Sequence, residues 1–413
     1  MQMEYRFPRL PELASLKVRV DNTGGQIRTA ISGTRSPWVW FIIKTYFHFY
    51  GRIGTLAKHK GGSVQTLYLP PIPSPAHARM FETFLSSILL KRIIPLAATI
   101  GVTTGCQCKC VHCSAQGRSS LRPGLSLEEL KHAVHQCLEF GLTNITFTGG
   151  EPLLRNDLEE LISRVPPEKA ITLVFTNALG LSPERARSLK RAGTFGVHIS
   201  LDSPDPAAHD SLRGVRGAFK AVEQGVRNAL ECGLLVGIST YATRQNVLNH
   251  QLTDIMELCH RWGVHEVSVF DAISTGALRS QEDLTLNRKA RAILLRDSRR
   301  LNKKFHNKPR IVTQTWTNTG VGFSRFIGCL AGNWQLHITA QGDLTPCDFT
   351  PLSFGNIKSE PLAGLWNKLL RHPAYNHRRV SCRMQDSRFR RQYIDPIPEN
   401  ADLPYPISRL MPE

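Results

Sequence analysis

The sequence lacks the features that would place it at once in several large classes of protein. Its 413 residues contain no glycine fingerprint of a dinucleotide-binding fold. Its most apolar stretches, 38–50 and 84–102, are interrupted by charged side chains before they reach the roughly 18 residues that a membrane span needs. The first residues include no apolar segment of the secretory type. We therefore expect a cytoplasmic, globular protein.

Acidic side chains are also scarce. The chain has 52 Lys and Arg against 33 Asp and Glu, a net charge of +19, and residues 1–100 account for +9 of it (13 basic, 4 acidic). An arginine-rich stretch lies at 378–391, and an aromatic run lies at 38–50. Because basic surfaces attract anionic partners, a nucleic acid or a membrane surface is a candidate partner of residues 1–94. The structural alternative is a solvated basic surface over an aromatic core.

Strands and helices alternate from residue 97 onward. The predicted strands are 97–102, 143–147, 171–175, 196–201, 234–241 and 264–270. The helices predicted between and after them are 126–140, 155–164, 182–192, 216–232 and 246–262. Six such units indicate a parallel sheet, and without a dinucleotide fingerprint they favour an α/β fold built as a partial (β/α)6 barrel.

Further elements follow the predicted barrel. We expect a basic helix at 288–306, a β-hairpin at 334–347 and a helix at 360–371. The predicted segments are an N-terminal extension (1–94), the barrel (95–275), a linker with the basic helix (276–325), a small hairpin and helix domain (326–393) and a Pro-rich tail (394–413).

Four of the ten cysteines crowd into the loop after the first barrel strand. Cys106, Cys110 and Cys113 have the spacing Cys-x3-Cys-x2-Cys, and Cys108 lies among them. Disulfides are rare in the cytoplasm, so clustered cysteines there usually bind metal or take part in chemistry. Three thiolates can hold three corners of a cubane iron–sulfur cluster. Zinc is the alternative, with Cys108 as a fourth ligand. Three cysteines lie singly in helical patterns and are expected to be buried apolar residues: Cys137, Cys232 and Cys259.

The segment Gly149-Gly150-Glu151 follows the second predicted strand. Two glycines let the backbone approach a ligand closely, and a carboxylate can bind an ammonium group. A tight turn is the simpler explanation of this segment alone. The cysteine motif after strand one and Gly-Gly-Glu-Pro after strand two, in that order, together resemble the radical S-adenosylmethionine (radical SAM) superfamily over residues 95–275.

The resemblance implies cofactors and ligands. Cys106, Cys110 and Cys113 would hold a [4Fe–4S] cluster whose open iron binds S-adenosylmethionine, and Gly149, Gly150 and Glu151 would contact the methionine amino group. Six further positions at later strand ends are candidate cofactor contacts, although helix capping or turn formation would also explain them: Asn177, Ser200, Asp202, Arg213, Thr240 and Asn246. Cys108 has no role in the motif, and no catalytic residue is expected beyond these ligands.

The C-terminal cysteines suggest a second cluster. Cys329 and Cys347 bracket the predicted hairpin, and Gly342-x4-Cys347 resembles the beginning of the SPASM and Twitch extensions, which carry auxiliary iron–sulfur clusters. Only Cys382 remains after them, whereas the full pattern has more cysteines. We therefore expect one auxiliary cluster held by Cys329, Cys347 and Cys382, with buried cysteines or zinc as the alternative.

The resemblance also implies the reaction type. An external electron donor of the flavodoxin or ferredoxin type would reduce the first cluster, S-adenosylmethionine would be cleaved to a 5′-deoxyadenosyl radical, and that radical would abstract hydrogen from the substrate. The SPASM/Twitch-like tail favours oxidation or modification of a ribosomally made peptide or a small molecule. The basic, aromatic extension favours a nucleic acid or an anionic, lipid-like substrate instead. A non-catalytic, zinc-stabilised binding protein is a third hypothesis, but it leaves the ordered barrel motifs unexplained.

Overall fold

A computed structural model describes residues 1–23, 26–115, 122–279, 281–313 and 328–410. The expected linker (276–325) and Pro-rich tail (394–413) therefore lie partly outside the described residues.

The N-terminal region forms its own apolar core. Its elements in chain order are β1 (Gln2–Tyr5), β2 (Lys17–Thr23), β3 (Gln26–Ser32), α1 (Pro37–Ile53), β4 (Ala57–His59), β5 (Gly62–Val64) and α2 (Pro75–Leu89). The first three strands form an antiparallel sheet in the order β1-β2-β3. Helix α1 begins after Ser36, whose hydroxyl accepts a hydrogen bond from the Val39 amide, and Pro37 suits the first helical turn because it needs no amide partner there. Alternate residues of β2 pack with α1 and α2 into a cluster separate from that of the barrel.

The barrel region supplies most of the parallel sheet. Its elements in chain order are β6 (Ala97–Gly101), α3 (Leu127–Phe140), β7 (Asn144–Thr148), α4 (Leu158–Ile162), β8 (Ile171–Thr176), α5 (Pro183–Ala192), β9 (Gly196–Ser200), α6 (Pro206–Arg213), α7 (Ala218–Glu231), β10 (Leu235–Ala242), α8 (Arg244–Leu248), α9 (Gln251–Trp262), β11 (Glu266–Asp271), α10 (Arg288–Lys304) and β12 (Arg310–Thr313).

The C-terminal region adds short strands and two helices. These are β13 (Gln335–Ile338), β14 (Leu344–Thr345), β15 (Leu352–Ser353), α11 (Leu362–Arg371), α12 (Ser387–Tyr393) and β16 (Tyr405–Pro406). The predicted hairpin is present as the antiparallel pair β13–β14. The apolar side chains of this region and of the barrel form one continuous cluster.

The main sheet has nine strands in the order β12-β11-β10-β9-β8-β7-β6-β13-β14. The six predicted strands pair in parallel, and the α/β partial-barrel fold is confirmed. Two neighbours were not predicted: β12 extends the sheet beyond β11, and β13 pairs in parallel with β6. The hairpin is therefore part of the barrel sheet.

One predicted helix gains a neighbour and another is divided. The helix predicted at 216–232 is α7, and α6 before it was not predicted; Gly214 and Gly217 between them are both in the left-handed region. The one predicted at 246–262 is α8 and α9, and His250 between them has φ +55°. By contrast, α3 follows its prediction closely because Ser126 and Glu129 form the predicted capping box. Among the described helices, none is long and apolar enough to cross a bilayer.

Candidate active site

The loop after β6 and the segment after β7 are joined directly by hydrogen bonds. The amides of Gly150 and Glu151 each donate to a carbonyl of the cysteine loop, those of Thr103 and Gly105, at 2.7 Å. A Cβ on Gly149 would lie 2.3 Å from the Thr103 carbonyl oxygen, and one on Gly150 would lie 2.1 Å from that of Gly105. Both glycines are therefore needed for this close backbone approach.

The thiols of the cysteine loop interact with one another. Hydrogen bonding from Cys108 is the main reason that the pKa of Cys106 falls to about 7 and that of Cys110 to about 6. For Cys110, burial opposes this shift and the positive charge of Arg213 adds to it. Cys113 follows one turn later, with its amide donating to the Cys110 carbonyl oxygen. The loop thus favours the thiolate form that ligates iron. Cys108, which has no role in the motif, shares this site through its hydrogen bonds with Cys106 and Cys110.

Glu151 is buried, and protein groups occupy its carboxylate. Oε1 accepts from the Leu153 amide at 3.0 Å and from the Thr176 hydroxyl at 2.7 Å, while Oε2 accepts from the Asn177 amide at 2.7 Å. Burial raises its pKa, although these hydrogen bonds oppose the shift. In this arrangement the carboxylate holds the carboxyl ends of β7 and β8 together. Its predicted contact with an amino group stays a prediction.

Asn177 lies directly against the cysteine loop. Its side-chain amide donates to Gln107 Oε1 at 3.2 Å and approaches the sulfur atoms of Cys108 and Cys106 at 3.4 and 3.8 Å. The structure therefore brings this predicted residue into the site. The contacts seen are with the loop that carries the thiols.

Asp202 and Arg213 form a buried ion pair beside the loop. Arg213 Nε lies 2.7 Å from Asp202 Oδ2, and their side chains are 11% and 5% exposed. Burial alone would raise the pKa of Asp202, but the charges of Arg213, His112 and His209 lower it overall. Arg213 Nη1 also lies 3.6 Å from Cys110 Sγ, so this cation faces the thiols. The ring of His112 stacks on Tyr241 at 4.9 Å.

The last three predicted contacts differ in position. Ser200 lines the main cavity and its hydroxyl hydrogen-bonds that of Ser239 at 3.3 Å. Thr240 also lines the cavity, and within the described structure its buried hydroxyl oxygen has no hydrogen-bond partner. Asn246 instead caps α8 through reciprocal hydrogen bonds with Thr243 and lines a separate small cavity. Thr240 lines this small cavity as well, but the Asn246 side chain is engaged by the helix cap, and its predicted contact with the cofactor stays a prediction.

The three C-terminal cysteines lie together. The Cys382 thiol hydrogen-bonds Cys329 and lowers the pKa of Cys329 to about 6, whereas burial raises the pKa of Cys347 to about 12. Cys347 Sγ lies 3.2 Å from the Thr350 hydroxyl oxygen. Across the described ranges, no three or more His, Cys, Asp or Glu side chains have the arrangement of a single-ion site. The cysteine ligands of a cluster bind different iron atoms and do not need to meet at one point.

One large cavity lies beside the cysteine loop. Its volume is about 1110 Å³, above the roughly 300–1,000 Å³ of ordinary small-molecule pockets. It runs from the cysteine loop, through the barrel, to aromatic side chains of the N-terminal region, and it passes Asp348 and Phe349 beside Cys347. Aromatic side chains that line it are Tyr46, Tyr50, Tyr68, Phe84, Phe175, Tyr241, Phe270, Trp334 and Phe349. The space suits a cofactor together with a sizeable second molecule.

The residues present fit the cofactors that the sequence predicts. Lowered thiol pKa values at Cys106 and Cys110 suit iron ligation, and Cys113 completes the donor set. The unpartnered hydroxyl of Thr240 and the buried cation of Arg213 are polar groups available to a bound zwitterionic cofactor on the same cavity wall.

Comparisons with known proteins agree with this site. A model of the "Radical SAM superfamily" matches residues 100–259, and a model named SPASM, an iron–sulfur cluster-binding domain, matches residues 329–390. An AdoMet-dependent heme synthase of Nitratidesulfovibrio vulgaris is 30% identical over 285 residues, which cover 65% of this chain and 77% of that protein. An Fe-coproporphyrin III synthase of Methanosarcina barkeri is 27% identical over 299 residues, 65% of this chain and 72% of that protein.

A solved structure shares the fold. The crystal structure of Streptococcus suis SuiB bound to S-adenosylmethionine aligns with 70% of this chain and 69% of SuiB, at a TM-score of 0.56 and 19% identity.

Fold, thiol loop and matches together define an S-adenosylmethionine-dependent iron–sulfur enzyme. The chain belongs to the radical SAM superfamily and carries a SPASM domain in its C-terminal third. Its cofactors are a [4Fe–4S] cluster and S-adenosylmethionine, and its SPASM domain binds an auxiliary iron–sulfur cluster. Like other enzymes of this superfamily, it needs an external electron donor.

Proposed function

We propose that this radical SAM enzyme modifies a large, flat, mostly apolar small molecule of the tetrapyrrole class. The observation that carries the proposal is the single cavity of about 1110 Å³ that joins the thiol loop to an aromatic floor. Four curated relatives that each match about two thirds of the chain are named as heme synthases or as an Fe-coproporphyrin III synthase, which supports the same substrate class.

In this proposal Cys106, Cys110 and Cys113 hold the catalytic cluster. When bound, the cluster and S-adenosylmethionine supply the reductive cleavage that starts radical chemistry. Arg213 offers a buried positive charge beside Cys110, suited to the methionine carboxylate, and Asp202 keeps that guanidinium in place. A flavodoxin- or ferredoxin-type protein would be the electron donor.

The aromatic floor would bind the substrate ring system. Phe84 of α2 and Trp334 have ring centroids 6.4 Å apart, are inclined by 24°, and both line the cavity. Tyr46 and Tyr50 of α1 also line the cavity, and the Tyr46 ring is tilted by 47° to that of Phe84, with centroids 4.8 Å apart. Flat apolar rings are stabilised on such surfaces by area burial and by offset stacking. Residues 1–94 would therefore take part in substrate binding through Tyr46, Tyr50 and Phe84.

A polar strip along β6 and β13 would orient the substrate. Thr99 Oγ1 lies 2.9 Å from His337 Nδ1, which lies 3.2 Å from Asp348 Oδ1. All three side chains line the cavity between the floor and the auxiliary cysteines. A few convergent polar groups in an otherwise apolar pocket fix the orientation of a ligand. They would place one edge of the substrate toward the cysteine loop.

The test uses iron-coproporphyrin III as the probe with anaerobic, cluster-reconstituted enzyme. We expect saturable binding, seen as a shift of the porphyrin absorption band, and a several-fold increase in 5′-deoxyadenosine when reductant and S-adenosylmethionine are present. Phe84→Ala should weaken binding at least roughly tenfold, since it removes one face of the floor. Ile88→Ala is the matched control, because Ile88 lies one turn further along α2 and is 40% exposed.

A different outcome would reject the substrate class. If the porphyrin neither binds saturably nor raises 5′-deoxyadenosine, while S-adenosylmethionine is still cleaved slowly, the cofactor assignment stands and the tetrapyrrole is wrong. Equal weakening by Phe84→Ala and Ile88→Ala would show that the floor is not the binding surface. Stimulation by a peptide would then assign the cavity to the peptide-modifying reaction.

A further inference from the structure

The N-terminal half of helix α1 exposes a group of large aromatic side chains. Trp38 is 61% exposed, Phe41 60% and Trp40 39%. The rings of Trp38 and Phe41 stack on each other, with centroids 5.7 Å apart and an interplanar angle of 19°. We call these three residues the aromatic tip. Such side chains are expensive to leave in water, and contiguous exposed apolar patches mark interaction sites.

The aromatic tip is separate from the cavity floor, although both lie on α1. The side of the helix that faces inward carries Tyr46 and Tyr50, which are 3% and 7% exposed and line the cavity. The outward side continues from the tip through Lys44, His48 and Arg52. The helix therefore has one face committed to the protein interior and another left to solvent.

Two cations near the tip, Lys44 and Arg35, have no carboxylate partner within the described structure. Lys44 lies 5.5 Å from the centroid of the Trp40 ring and donates to the Thr29 carbonyl of the edge strand β3, which links the helix face to the sheet. Arg35 is exposed and directly precedes Ser36, the N-cap of the helix. Lys17, Arg19 and Arg28 instead lie on the face of the sheet opposite to the one that packs on α1.

The few acidic side chains of this region are already engaged. Residues 1–100 contain four, and three of them bind arginines: Glu4 binds Arg6, Glu82 binds Arg9 and Glu12 binds Arg92. The fourth, Asp21, accepts a hydrogen bond from Thr23. None of these carboxylates pairs with Lys44 or Arg35, so both positive charges beside the aromatic tip are left for an external anion.

We propose that this surface binds an anionic lipid bilayer, with the aromatic tip inserted at the headgroup level and Lys44 and Arg35 on the lipid phosphates. Tryptophan favours the membrane interface because its ring is apolar while its N–H can still hydrogen-bond. Lysine and arginine add attraction to acidic headgroups. A small apolar group inserted at the interface, together with nearby basic side chains, gives reversible, peripheral binding. The proposal does not depend on the identity of the substrate.

The test is flotation of the holoenzyme with vesicles of equal parts phosphatidylcholine and phosphatidylglycerol, against vesicles of phosphatidylcholine alone. We expect the wild type to float with the mixed vesicles at low salt and to be released as salt rises. Trp38→Ala with Phe41→Ala should weaken binding roughly tenfold or more, because two inserted rings are lost. Lys44→Gln and Arg35→Gln should each weaken it roughly fivefold.

Two control variants test whether vesicle binding depends on this surface or only on the overall charge and hydrophobicity of the protein. Leu248→Ala removes an apolar side chain, 39% exposed, from α8, and Lys303→Gln removes a cation from α10. Both should keep wild-type binding. The Trp38→Ala, Phe41→Ala protein should also keep wild-type reductive cleavage of S-adenosylmethionine without vesicles, which shows that it is folded.

Several results would overturn the proposal. Binding that is equal on both kinds of vesicle, or equally reduced by the control variants, would remove the specific role of the tip. A change in sedimentation from dimer to monomer in the Trp38→Ala, Phe41→Ala variant without lipid would assign the surface to a second copy of the chain. Binding to RNA that competes with vesicles and depends on the same residues would assign it to nucleic acid.

Discussion

His77 makes the stability of the N-terminal region dependent on pH. The ring lies in the core of α1, α2 and β1, with Nδ1 2.9 Å from the Tyr5 hydroxyl oxygen and Nε2 3.1 Å from that of Tyr46. Burial lowers the pKa of His77 from 6.5 to about 3. Between these values the unfolded chain binds a proton that the folded chain excludes, so stability falls as the pH falls below about 6.5.

The expected size follows from the width of that window. Each pKa unit corresponds to about 1.4 kcal/mol, so acidification from pH 6.5 to pH 5 should cost about 2 kcal/mol at this residue. His77→Gln keeps a donor and an acceptor but has no titrating ring. Although that variant starts less stable, it should lose about 2 kcal/mol less than the wild type over the same range.

The measurement is urea unfolding at both pH values, followed by circular dichroism and by tryptophan fluorescence. His48→Gln is the matched control, because His48 lies on the exposed face of α1, and it should keep the wild-type slope. If His77→Gln has the same pH dependence as the wild type to within about 0.5 kcal/mol, His77 is not the group that carries this dependence.

Three further predictions concern the two metal sites. Asp202→Asn should destabilise the protein by about 3–5 kcal/mol in the same urea assay, because it leaves the buried Arg213 without its counter-charge. The control Glu184→Gln breaks an ion pair whose side chains are 75% and 53% exposed, and it should cost under about 1 kcal/mol. Similar costs for the two variants would contradict the importance of the buried pair. Gly150→Ala should abolish the electron paramagnetic resonance signal of the reduced catalytic cluster, because the new Cβ would lie 2.1 Å from the Gly105 carbonyl oxygen. The control Gly364→Ala should keep the signal, since a Cβ there has no heavy atom of another part of the described structure within 4 Å. A normal signal in Gly150→Ala would refute the need for the close backbone approach. Cys382→Ser should lower the iron content from about eight to about four per chain, whereas the control Cys232→Ser should leave it unchanged. A content of about eight irons per chain in both variants would show that Cys382 is not a ligand of the auxiliary cluster.

Local signals made much of the fold predictable. The six barrel strands have short apolar runs, and α3 has both members of its capping box in sequence, so each element is specified by neighbouring residues. The prediction was weaker where local signals conflict. The predicted helix at 155–164 is reduced to Leu158–Ile162, since Arg155 instead bonds Asp157, and Pro166 follows soon after. Strand β12 was not predicted because it is only four residues long and follows the basic helix α10.

The functional site shows the same contrast between local signals and contacts that are distant in the chain. The cysteine loop and Gly149-Gly150-Glu151 are contiguous motifs, and the structure places them against each other as their order predicts. The roles of single polar residues were harder to predict because they depend on partners distant in the chain. The Glu151 carboxylate accepts hydrogen bonds from the last residue of β8 and the residue after it, 25 and 26 positions away, whereas the Asn246 side chain caps its own helix. No spacing could have shown that the Cys108 thiol interacts with both Cys106 and Cys110.

The position of the SPASM domain follows from a pairing that no local pattern encodes. Strand β13 lies parallel to β6 with Thr99 opposite His337, residues 238 apart in sequence. Because β6 also leads into the cysteine loop, a single run of backbone hydrogen bonds fixes the catalytic loop and the hairpin that ends at Cys347 relative to each other. The residues between them, Thr99, His337 and Asp348, line the cavity as a result. The separation of the two cluster sites is therefore set by sheet register, not by a flexible linker. A substrate held on the aromatic floor would therefore face the cysteine loop and Asp348, the residue next to Cys347, in one fixed geometry.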